Sequence, residues 1–308
     1  MQRSLIIFAI LIAAAFSGRC DTSRRIHASF WVEPAADENG TAVSLEALSA
    51  YVNGSKAETG RLLSPGDELV VLIVMDVTGD LALASRAKEA VIAWVAQLPP
   101  KVWVGLLRAQ DGLRVILDPT PDREALISAI KSLPVNGRAG LLDSLPTAAA
   151  LGDAMRTKAA VRTAVFLITD SDIHNYREDF TNPVINESDR RDMSRRFPDM
   201  LIRERISKLE KALSSTQTPV FLVHLNYRTD QLNEAYQMGL MRLAALLGGS
   251  SVFCRSITEI SPAISRMFDT IQSHYSLEII VPENSAPAIN LTLYGGDLSL
   301  RYRNNYVN

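Results

Sequence analysis

Two short acidic stretches stand out as able to do chemistry. Asp76, Thr78 and Asp80 alternate in Asp76-Val77-Thr78-Gly79-Asp80, and Asp170 and Asp172 alternate in Asp170-Ser171-Asp172. Each stretch follows an apolar run, Leu69 to Met75 in the first case and Thr163 to Thr169 in the second. Carboxylate and hydroxyl oxygens suit a hard divalent cation, Mg²⁺ or Ca²⁺. Alternate positions can aim side chains at one point as a strand turns into a helix. Asp80 also has a plainer reading: it sits just before a helical pattern, where an acidic side chain caps the first turn and complements the helix dipole. The residues alone leave both readings open. Without a cation, Asp76, Asp80 and Asp170 are expected to repel one another and to raise at least one carboxyl pKa.

The remaining candidates are sparser. The histidines, His27, His174, His224 and His274, are scattered. There is no H-E-x-x-H, no G-x-S-x-G and no glycine-rich phosphate loop. His224 ends an apolar run, and His174 lies just past Asp172; either neighbours the acidic site or belongs to its polar rim. Cys20 and Cys254 are the only cysteines, and no zinc spacing exists. Cys254 reads as a buried free thiol, with a disulfide to Cys20 as the alternative in an oxidising compartment. A hydrolase built on metal-bound water would need a base and a substrate pocket that the motifs do not supply. A non-enzymatic protein is expected.

These strand-end residues need a scaffold. Leu69 to Met75, Val102 to Leu107, Thr163 to Thr169, Pro219 to Leu225 and Ser251 to Cys254 read as strands. Helical spacing covers residues 80–97, 122–131, 141–156, 200–214, 231–247 and 260–273. Asp111-Gly112 returns the chain antiparallel into Leu113 to Leu117. Alternating strands and helices predict an α/β fold, a doubly wound, mostly parallel sheet with helices on both faces. Ligands in such sheets sit at the carboxyl ends of the strands, which is where the carboxylates lie. Residues 21–65 and 276–308 read as small flanking β segments. Asn39-Gly40 and Asn53-Gly54 serve as hairpin turns in the first, and Gly295-Gly296 in the second.

The 308-residue chain is 47% hydrophobic and 21% charged, enough for one large core. Its 32 basic and 34 acidic residues leave a formal charge of -2, so no nucleic-acid partner is expected. Arg3 followed by the apolar run Leu5 to Phe16 reads as an export signal, with residues 1–19 removed. The mature chain is then periplasmic, secreted, or anchored to the envelope through lipid on Cys20. Arg19 fits the lipidation reading poorly. Residues 172–199 form a long polar connection, of the kind that is usually functional. Asp172, His174, Arg190, Arg191, Arg195 and Arg196 are its candidate partner contacts, against a solvated lid as the alternative.

Val71 to Asp80 resembles the first strand and D-x-S-x-S loop of a von Willebrand factor type A domain. Val165 to Asp170 resembles that family's later strand ending in aspartate. Gly137-Arg138-Ala139-Gly140-Leu141-Leu142-Asp143 resembles its middle segment, usually G-G-T-A-L-Y-D. The resemblance covers about residues 68–275, and the flanks resemble those of an acidobacterial-type subgroup. It implies a protein-binding module with a metal-ion-dependent adhesion site held by Asp76, Thr78, Asp80 and Asp170. The site is altered: Thr78 and Asp80 replace serines, and Ala139 stands where a threonine ligand is usual. The expected partner is another extracytoplasmic protein, in adhesion or in an envelope assembly.

Overall fold

A computed structural model describes residues 24–33, 43–173, 198–283 and 285–307. A six-stranded sheet forms the centre: β4 (Leu69–Asp76), β5 (Val102–Arg108), β6 (Arg114–Thr120), β7 (Arg162–Thr169), β8 (Val220–His224) and β9 (Ser251–Phe253). Their order is β6-β5-β4-β7-β8-β9, and only β6 runs antiparallel to its neighbour. Strand order reverses between β4 and β7, so the loops after these two strands diverge at the carboxyl edge. That is the position where such sheets form a crevice.

Alternation along β4 divides the core. Val71, Ile73 and Met75 join one apolar layer with α1 (Leu81–Val95), α2 (Arg123–Ser132) and α6 (Ile257–Gln272). Leu72 and Val74 join the other with α3 (Leu141–Lys158), α4 (Pro198–Ala212) and α5 (Gln231–Leu246). A strand covered on both faces must be apolar at every position, which explains the unbroken run. α5 ends where Gly248 takes φ of +76°, the left-handed C-cap that lets the chain turn into β9.

The flanks do not stay apart. β1 (Arg25–Val32), β2 (Ser49–Val52) and β3 (Ser55–Leu63) combine with β10 (Tyr275–Ile280), β11 (Ala288–Tyr294), β12 (Leu300–Tyr302) and β13 (Asn305–Val307). They make one seven-stranded sheet, β12-β1-β10-β3-β2-β11-β13. Ile26 and Phe30 of β1 share a core with Val52, Leu291 and Tyr306, so the sheet curls over its own apolar face. Asn53 and Gly54, both at positive φ, close the β2–β3 hairpin as read. The Gly295-Gly296 reading needs correction. It closes a single bridge, Gly295 to Leu298, after which β12 leaves to pair with β1 and β11 pairs with β2 and β13. Asn39-Gly40 lies outside the described residues.

One buried arginine ties the two sheets. Arg162, the first residue of β7, is 1% exposed. Its guanidinium donates to the carbonyls of Pro65 (2.6 Å), Asp67 (2.9 Å), Gln272 (2.8 Å) and His274 (2.8 Å). Those carbonyls belong to the β3–β4 linker, the last residue of α6 and the turn into β10, where the chain crosses between the sheets. Burial pushes its pKa down to about 10. Trp31 reinforces the junction, lying edge-on to Phe221 and donating from Nε1 to the Thr270 carbonyl at 2.7 Å. No helix among the described residues is long and apolar enough to cross a membrane.

Candidate functional site

Asp76 is the last residue of β4, and its neighbour on β7 is Thr169. Parallel pairing therefore brings the two acidic stretches side by side. The Asp76 carboxylate is fully buried. Oδ1 accepts from the Gly140 amide at 3.1 Å and Oδ2 from the Thr169 hydroxyl at 3.2 Å. Thr169 Oγ1 also meets Ser171 Oγ at 2.6 Å, and Ser171 Oγ meets the Tyr236 hydroxyl at 3.1 Å. A chain of hydroxyls thus runs from Asp76 to α5.

Asp170 folds over the β4–α1 loop. Its Oδ1 accepts from the Thr78 amide (2.7 Å) and hydroxyl (3.1 Å), and Oδ2 from the Asp80 amide (3.4 Å). Asp80 points the other way. Its Oδ1 accepts from the amides of Ala82 and Leu83 at 3.0 and 3.1 Å, so it caps α1. The middle segment is pinned from the side, because Asp111 Oδ1 accepts from the Arg138 amide and the Asp111 amide donates to the Arg138 carbonyl. Gly140 must be glycine: a Cβ there would overlap the carbonyl oxygen of Ala109.

Burial pushes the Asp76 carboxyl up to about 6, against the hydrogen bonds from Gly140, Ser171 and Thr169; the charge of Asp170 adds a smaller upward push. Burial also raises Asp170, against the donors of the β4–α1 loop. Mutual repulsion, expected from the sequence, is therefore the lesser cause. Desolvation disfavours the charged form even when N–H donors are present.

Residues 71–172 match the family model of the von Willebrand factor type A domain. The six-stranded domain is von Willebrand A-like. The whole chain is similar to the von Willebrand factor type A structure from Catenulispora acidiphila, at 12% identity and a TM-score of 0.48, over 94% of this chain and 74% of that one. The PilB minor pilin from Streptococcus sanguinis aligns at 13% identity and 0.47, over 67% and 62%. Proximal thread matrix protein 1 of the mussel byssus, with zinc in its adhesion motif, aligns at 12% and 0.44, over 70% and 48%. No curated protein matches the sequence.

A divalent cation fits this A-like site in charge. Asp76 and Asp170 are buried side by side with raised pKa values, and neither has a Lys or Arg partner among the described residues. The ligand supply is thinner. Ala139 is a buried apolar residue at the middle segment, and Asp80 Oδ1 is engaged by the helix amides. Among the described residues, no three His, Cys, Asp or Glu side chains are grouped to hold a metal.

The other expected contacts separate. Asp172 is largely covered, 17% exposed at its side chain, with Arg228 Nε 3.9 Å away. His224 is buried, its Nε2 lying 2.8 Å from the Ser171 carbonyl oxygen, and burial pushes its pKa down to about 4. It supports the β7 loop from beneath. Cys254 is a buried free thiol. Residues 1–19, Cys20, His174, Arg190, Arg191, Arg195 and Arg196 lie outside the described residues. Sequence reasoning missed Gln110, buried with Nε2 donating to the Val77 carbonyl at 2.5 Å, and Tyr236. Neither carries a motif; Gln110 reaches the site through the Val77 carbonyl and Tyr236 through the Ser171 hydroxyl.

Proposed function

We propose that this is an exported, non-enzymatic protein-binding module that engages its partner through the carboxyl edge of the A-like sheet. The observation that carries the reading is Leu81. This leucine opens α1 beside Thr78 and Asp80, and it is 68% exposed. A large apolar side chain on a polar rim is a natural anchor for a partner surface. The polar groups at this edge of the sheet hold one another: Thr169, Ser171 and Tyr236 share hydrogen bonds, and His224 faces a carbonyl. That arrangement supports a rigid platform rather than a set of groups free to move protons.

The cation belongs to the same proposal. Asp76, Thr78, Asp80 and Asp170 would hold Mg²⁺ or Ca²⁺, weakly because Ala139 offers no side-chain oxygen. The ion would supply a positive centre for a partner carboxylate. The sequence adds His174, Arg190, Arg191, Arg195 and Arg196, which follow Asp172 along the chain, as contacts for an acidic partner. Export rests on residues 1–19, and the mass of the mature N-terminus distinguishes release from lipid on Cys20. Placement in the acidobacterial-type subgroup rests on the sequence of the two flanks, Asn39-Gly40 to Lys56 before the domain and Ser273 to Tyr306 after it.

The test is photo-crosslinking in cells from a probe at position 81, with a probe at exposed Ile116 on β6 as control. The partner so captured is then purified and its affinity measured for wild type and Leu81→Asp. Capture from position 81 alone, with at least tenfold weaker binding by the variant, is expected. Equal affinity for both proteins sinks the reading. Calorimetry with Mg²⁺, Ca²⁺ and Mn²⁺ addresses the ion separately; no heat at millimolar concentration removes the cation from the proposal.

A further inference from the structure

At the opposite end of the A-like sheet lies a half-open cleft of about 510 Å³. One wall is the curled sheet. Strand alternation puts Arg25 and His27 of β1, Arg61 of β3 and Glu278 of β10 on one face. The other wall is the end of α3 and the turn into β7, with Arg156, Lys158 and the apolar stretch Ala159 to Val161.

The charge in this cleft is unbalanced. Arg25 pairs with Glu278 at 2.9 Å, and Arg156 with Asp153 at 3.1 Å. Arg61 and Lys158 have no carboxylate partner among the described residues. Arg156 has a side chain only 9% exposed, yet its Nε finds no acceptor. His27 registers the field: its pKa is pushed down to about 4, first by burial and then by Arg156, with Arg25 and Arg61 adding to it and only Asp153 opposing.

The dipole of α3 explains Arg156 and Lys158, since cations favour a helix carboxyl end. It does not explain Arg25 and Arg61, which arrive from another sheet and face them. Like charges across a partly desolvated cleft repel unless an anion lies between them. Two unmatched cations suit a dianion, and guanidinium groups match phosphate oxygens in geometry. The volume exceeds what one phosphate needs and falls in the usual range for small-ligand sites. Leu63 and Ala159 to Val161 give the remainder an apolar lining.

We propose that this cleft binds a small phosphomonoester, its phosphate held by Arg61, Lys158 and Arg156 and its organic part against the apolar wall. The site is independent of the partner face, which lies at the other end of the strands.

Calorimetry of the full chain at fixed ionic strength tests this, with inorganic phosphate, phenyl phosphate and sodium chloride as titrants. Saturable binding of both phosphates, with phenyl phosphate the tighter, is expected. The double variant Arg61→Ser/Lys158→Ser changes two exposed side chains and should weaken both at least tenfold. Circular dichroism and the thermal midpoint confirm that it folds. Phosphate heats no different from chloride, or a folded double variant that binds as wild type does, overturn the proposal. Binding of inorganic phosphate without phenyl phosphate overturns the assignment to an organic ester.

Discussion

The two ends of β7 make opposite kinds of site. At its carboxyl end, Thr169 and Asp170 join Asp76 in a buried acidic knot whose oxygens are engaged by amides and hydroxyls of neighbouring loops and strands. At its amino end, Arg162 fastens two linkers, and beside it four cationic side chains line an open cleft. The first end is closed on itself, and the second reaches outward. An acidic group can be satisfied by the backbone N–H donors that every strand-to-helix turn supplies. A basic group needs acceptors, and at the amino ends of strands these come from distant linkers or from a ligand.

The sharpest break in this comparison is Arg162→Met. Methionine fills similar length but leaves four carbonyls without their donor in a buried junction. Unfolding in urea should show a loss of about 3–5 kcal/mol, the range for removing one partner of a buried charged network. A loss under about 1 kcal/mol would mean that water replaces the guanidinium and that the junction is wetter than its burial implies. At the other end of β7, Gly140→Ala forces a methyl into the Ala109 carbonyl and lifts the Gly140 amide off Asp76. The cost should be about 3 kcal/mol. Partial relief by Asp76→Asn in the same chain would show that the strain passes through that hydrogen bond.

Acid should act on the buried histidines and on Asp76 with opposite signs. His27, His224 and His274 are held low, at about 4, 4 and 3, by burial first in each case. The unfolded chain takes up protons on these rings below about 6.5, so the folded state loses stability as pH falls from there towards 4. At pH 5 each forfeits about 2 kcal/mol. Asp76, raised to about 6, acts the other way: its contribution is present at low pH and lost as pH rises through 6. The histidines outnumber it and Asp76 returns only about 1.4 kcal/mol by pH 5, so a net loss on the order of 4–5 kcal/mol between pH 7.5 and pH 5 is expected from urea midpoints. A flat profile would show that the buried rings are hydrated.

The sequence made one of these ends readable and hid the other. Asp76, Thr78, Asp80 and Asp170 follow apolar runs, and parallel pairing must bring such strand ends together. The α/β class followed from the same alternation. The basic cleft has no such signature. Arg25, Arg61, Arg156 and Glu278 lie far apart along the chain, and they meet only because the flanks form one sheet that packs beside α3. Nothing in local periodicity says that residues 25 and 278 are neighbours. The hairpin at Gly295-Gly296 misled for a related reason. A turn signal fixes the reversal of the chain, while the partner of the strand that follows it is set by contacts far along the chain.

The smallest predicted effect separates the two roles of Asp80. As the cap of α1 it accepts from Ala82 and Leu83, and Asp80→Ala should cost about 1 kcal/mol whatever ions are present. Asparagine caps about as well as aspartate. Asp80→Asn should therefore leave the metal-free thermal midpoint within about 1 °C of wild type, while removing one negative charge from the acidic knot. If the carboxylate also serves a cation, millimolar Mg²⁺ or Ca²⁺ will raise the midpoint of wild type and raise that of Asp80→Asn by less. Equal shifts in the two proteins would leave Asp80 as a cap alone, and no shift in either would leave the acidic end of β7 as a platform that its own backbone has already filled.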